Sequence, residues 1–152
     1  MMKTQTIILL SLVFVLGCKS NQNNAKMKTI EPILIAKGNL HGAGSEGIDK
    51  QNIIIDNQAD WENLISKMDK VNKVSEQFTE TKIDFSRYTV IAIFNDVMGS
   101  GGHSIAIDIS ANSERILVVT KFHSPSGNAT SVMTQPYYIA KITKTERPIA
   151  FQ

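Results

Sequence analysis

The sequence predicts a mainly β domain of α+β class: an antiparallel β-sandwich or barrel-like sheet of about six strands with one covering amphipathic helix. Three observations predict it. Short β-branched runs recur between residues 32 and 144, Gly- and Pro-containing stretches separate them, and a single segment changes from strand to helix period. Strands and helices do not alternate as a doubly wound sheet requires, and neither an internal repeat nor a heptad pattern is present.

The elements follow in order. Residues 32–40, PILIAKGNL, read as a strand that ends in the glycines of HGAGSEG, and residues 51–56, QNIIID, read as a second. Trp61, Leu64, Ile65 and Met68 then fall on one face of a helix, which Asn57 caps and Asp60 supports near its positive end. That period assigns Trp61 to the core beneath the helix rather than to a binding surface. Residues 71–82 are polar and read as a loop. Tyr88 to Phe94 is a nearly continuous apolar run, as expected of a central strand buried on both faces. Ile105, Ile107 and Ile109 alternate with Ser104, Ala106 and Asp108, so one side of that strand is packed. Residues 115–123 supply its antiparallel partner, and residues 135–144 form a last strand whose Pro136 stands at the start, where a missing amide is tolerated.

The chain begins MMKTQTIILLSLVFVLGCKS, with a basic residue, an apolar run too short to span a bilayer, and Gly17-Cys18. This pattern resembles a bacterial lipobox. It predicts a signal peptide over residues 1–17 and a diacylated Cys18, with residues 18–30 as a flexible polar tether and residues 31–152 as one globular domain. Cys18 is the only cysteine, so no internal disulfide can form and the core alone must stabilise the fold. Multiple acyl chains would hold the protein at a membrane without a transmembrane helix. Lys19 after the cysteine, by analogy with enteric sorting, predicts the outer membrane of the cell envelope.

Of 16 Lys and Arg, Lys3 leaves with the leader, and 15 basic residues then face 14 acidic ones. This balance gives no reason to expect nucleic acid as partner, which calls for a basic face or stripe.

The stretch NDVMGSGGHSIAID carries the candidate site. A phosphate loop would continue into a helix and often carries a Lys, whereas here a strand follows and Lys is missing. A hairpin turn between two buried strands explains the glycines more simply, with positive φ available to them. The turn is nonetheless longer than a minimal hairpin, and loops on rigid strands often carry recognition. Met98, Gly99, Ser100, Gly101, Gly102 and His103 are therefore the candidate partner-binding loop. Gly101→Asp is expected to weaken partner capture more than folding.

Catalytic and metal chemistry are less well supported. Ser100, Ser104 or Ser124 could stand beside a histidine, but a Gly-x-Ser-x-Gly nucleophile elbow does not occur. His103 and His123 lie at the ends of predicted strands and could share a two-His metal site; Asp96, Asp108 and Glu114 show no ligand spacing, and His41 stands in a separate loop. The residues thus predict neither catalytic groups, metal nor cofactor.

The order of Ile83-Asp84-Phe85-Ser86, the apolar strand after it, Gly101-Gly102, Ser104-Ile105 and the late Pro136-Tyr137 resembles the protease-complex subunit PrcB family of bacterial lipoproteins, over about residues 50 to 143. His103 departs from the pattern, standing where the family commonly has Tyr. The resemblance implies a non-catalytic, lipid-anchored module that binds and stabilises an exported, subtilisin-like protease. Two other functions stay open: a protease inhibitor acting through the Gly-rich loop, and a small metal- or ligand-binding envelope lipoprotein.

Overall fold

A computed structural model describes residues 26–152; the predicted leader, Cys18 and most of the tether lie outside them. Eight strands form two four-stranded sheets, stacked as a sandwich and not closed into a barrel. One sheet has the order β1 (Lys28–Ile30), β5 (Ser104–Ala111), β6 (Ile116–His123), β8 (Ile149–Phe151); the other runs β2 (Ile33–Leu40), β7 (Gln135–Thr143), β4 (Tyr88–Phe94), β3 (Gln51–Ile55). All pairings are antiparallel except β6 with β8.

The second sheet is the middle of three layers, because the side chains of β4 alternate between two cores. Ile91 and Ile93 pack with Ile105, Ile109, Ile116 and Val118 between the sheets. Val90, Ala92 and Phe94 face the other way, toward α1 (Gln58–Met68) with its Trp61, Leu64 and Met68. This is why the run from Tyr88 to Phe94 is apolar without alternation: neither face meets water. Helix α1 begins as the sequence predicts, with the Asn57 side chain accepting from the Asp60 amide at 2.9 Å. Trp61 is fully buried, and its indole donates to the Thr81 carbonyl at 2.8 Å, so the ring belongs to the core and its polar edge is satisfied.

Lys141 is a charged residue inside this packing. Its ammonium ends 2.5 Å from the Glu80 carboxylate and 4.3 Å from the centroid of the Tyr88 ring, which pairs a cation that β7 carries on the same face as Ile139.

The strand boundaries agree with the sequence for the six longer strands, and three features differ. The span 71–82, expected as loop, contains a 3-10 turn at Val74–Gln77 that buries Val74 against the helix layer. Strands β1 and β8 were not expected, each being three residues long. Lys28–Ile30 falls in the expected tether, yet it pairs with Ile109–Ala111, so the ordered domain begins before residue 31. Three residues carry too little pattern to be recognised, and β1 and β8 are strands because the longer β5 and β6 offer them an edge.

The third difference concerns the candidate site. β4 and β5 do not form a hairpin: β4 belongs to the middle sheet and β5 to the outer one. The glycine-rich segment is a crossover between sheets, and its length reflects the distance between layers, about 10 Å, rather than a turn.

Candidate functional site

Residues 98–103 are clamped by the segment that precedes β7. Met98 and Thr134 exchange both backbone hydrogen bonds, at 2.7 and 3.0 Å, and the Gly101 amide donates to the Thr130 carbonyl at 3.0 Å. The Thr134 hydroxyl, itself buried, donates to the Ser100 carbonyl at 2.7 Å. On the other side, the Asn39 amide reaches the His103 carbonyl at 3.4 Å and ties the crossover to the end of β2.

The glycines divide the loop into packed and open parts. A Cβ on Gly101 would collide with the Thr130 hydroxyl and press on Val132 at 3.3 Å, and Gly101 is buried. Gly102, not Gly101, has the positive φ, +83°, and a Cβ there would stand 3.0 Å from that of Pro125. Gly99 is exposed, with nothing within 4 Å of the place a Cβ would occupy. Gly101→Asp would therefore disturb folding first, contrary to the expectation from sequence, and among the three glycines of the loop only Gly99 has open space for an added side chain.

His103 is 8% exposed, and its Nε2 lies 2.9 Å from the Ser100 hydroxyl. His103 precedes β5 in the chain, and His123 ends β6. His123 is exposed and pairs in register with Ser104, and His41 sits on another loop. Among the described residues, no group of three or more His, Cys, Asp or Glu could hold a metal ion. The carboxylates flanking the crossover are engaged: Asp96 with Lys50 at 3.0 Å, and Asp108 with Lys121.

The same end of the sandwich carries apolar side chains in water. Val132 is 41% exposed and Met133 48%, in the segment that clamps the glycines, and Phe122 is 47% exposed with Lys50 Nζ 5.3 Å from its ring centroid. Phe122 lies on the inner face of β6 with its partner Ile105, but at a level where the middle sheet no longer covers it. Sequence reading passed over Val132 and Met133; the signal was there, an apolar pair isolated in an otherwise polar loop.

The chain matches no protein-family profile, no curated protein and no solved structure. The geometry of the site has a direction. Lys28 pairs with Ala111 at the far end of β5, whereas the glycine crossover enters β5 at Ser104, so the chain toward residue 26 leaves the end opposite the loop, about 24 Å away along the strand.

Proposed function

We propose that this chain is a lipid-anchored, non-catalytic accessory protein of the bacterial cell envelope, a member of the PrcB family that binds and stabilises an exported, subtilisin-like protease. The observation that carries the proposal is the placement of an open tip, Gly99 with Val132 and Met133, at one end of the sandwich while residues 26–28 leave from the other. If Cys18 is held in the outer membrane, that placement presents the tip away from the lipid. Apolar side chains in water on a rigid, hydrogen-bonded support are the kind of surface that a protein partner covers.

Affinity enrichment from detergent-solubilised envelope tests the reading. The full chain recovers an exported protease, and Met133→Asp, which places a charge at the centre of the proposed contact, reduces the yield about tenfold or more. Equal recovery by both proteins excludes the tip as the contact.

A further inference from the structure

The two sheets leave an open seam on the side where β2 and β5 run. β1 pairs only with Ile109–Ala111 of β5. It stops there because Pro32, two residues after Ile30, has no amide to continue the ladder, and the chain passes into the middle sheet as β2. Among the described residues, no strand pairs with Ser104–Asp108 on the β1 side. In an antiparallel strand, alternate residues direct both N–H and C=O to the same side, so this stretch, about 14 Å long, presents unpaired donors and acceptors outward.

A groove of about 460 Å³ lies at the Ser104 end of that edge, lined by Ser104, Ile105 and Ala106 on β5, by Lys37 and Asn39 on β2, by Tyr137 on β7 and by His123 on β6. Its apolar floor suits small side chains, and its rim is one-sided in charge. No carboxylate lines it, Lys37 is exposed and makes no ion pair among the described residues, and the buried Asn39 Oδ1 has no hydrogen-bond partner.

We infer that the bare edge Ser104–Asp108 accepts an extended polypeptide segment as an added strand, and that Lys37 selects a segment bearing a carboxylate. The inference deepens the reading of the domain as a polypeptide-binding module and rests on it: strand addition supplies main-chain affinity, while the groove supplies side-chain preference. The occupant is a partner's segment because an unpaired edge demands main-chain hydrogen bonds in series, which a compact ligand cannot provide, and because an uncompensated Lys37 favours a negative one.

The test uses the full chain in detergent solution and a blocked peptide of alternating threonine and valine around a central glutamate, read by residue-resolved amide hydrogen exchange and by fluorescence titration. The peptide is expected to slow exchange of the outward amides between Ser104 and Asp108. N-methylation of the peptide at alternate residues is expected to weaken binding roughly tenfold or more, since it deletes the ladder and keeps the side chains. Lys37→Glu is expected to weaken the glutamate peptide roughly fivefold and to favour its lysine counterpart, and this exposed substitution should leave folding intact. Equal binding by the N-methylated peptide, unchanged exchange at Ser104–Asp108, or protection of the edge by self-association without peptide overturns the inference. Continued capture of a protease by the parent and its loss in Met133→Asp, despite such a result, would leave the accessory role standing and remove only the edge.

Discussion

The Ser100 hydroxyl lies 2.9 Å from Nε2 of His103, across one turn of the glycine crossover. A serine at this distance from an imidazole is the first requirement of a nucleophile and its base; a carboxylate to orient the ring and donors for an oxyanion complete such a site. Here the flanking Asp96 and Asp108 are drawn off by Lys50 and Lys121. The Ser100 carbonyl is fixed by Thr134, so the pair braces the loop. Ser100→Ala is expected to lower unfolding free energy by about 1 kcal/mol in urea titration and to leave partner capture unchanged. A fluorophosphonate reagent should leave Ser100 unlabelled; stoichiometric labelling would assign it to catalysis.

Gly99 and Gly101 are two residues apart in one loop, and their substitution should separate binding from folding. Gly101→Asp forces a side chain into Thr130 and Val132 and buries a charge, and is expected to destabilise by about 2 kcal/mol or more. Gly99→Asp meets open space, so its unfolding midpoint should match the parent within about 0.5 kcal/mol while capture falls. Thermal denaturation and envelope pull-down on the same two variants check both halves.

The contrast between these glycines marks the limit of what the sequence discloses. Period and composition place the six longer strands, the Asn57 cap and the burial of Trp61, because each is set by local chemistry and by which face meets water. Which glycine is packed and which is open depends on Thr130 and Pro125, both more than twenty positions away. The assignment of β4 and β5 to different sheets is likewise non-local: a turn rich in glycine serves a hairpin or a crossover equally well. The bare edge of β5 required knowing that β1 is short, and the three residues of β1 carry no readable alternation.

Burial raises the titration of Tyr137 and Tyr138 above the ordinary tyrosine value of 10.0. The folded protein then holds these phenols neutral where the unfolded chain has begun to ionise them. Their contribution is fully present below about pH 10 and is lost as pH rises from there toward the folded-state value. Urea midpoints should be level up to about pH 9 and fall by about pH 11, and Tyr137→Phe should make the fall shallower. An identical fall in the variant would place the alkaline sensitivity elsewhere.

A stabilising partner, as proposed, would lengthen the working life of an exported protease without acting on a substrate or blocking the protease itself. The most direct measurement is the decay of extracellular proteolytic activity in envelope preparations with the protein deleted, restored, or restored as Met133→Asp. The account predicts rapid decay on deletion, a slower decay with the restored parent at the same initial turnover, and no rescue by Met133→Asp. Higher initial activity on deletion, titrated away as the protein is added back, would contradict it and identify an inhibitor.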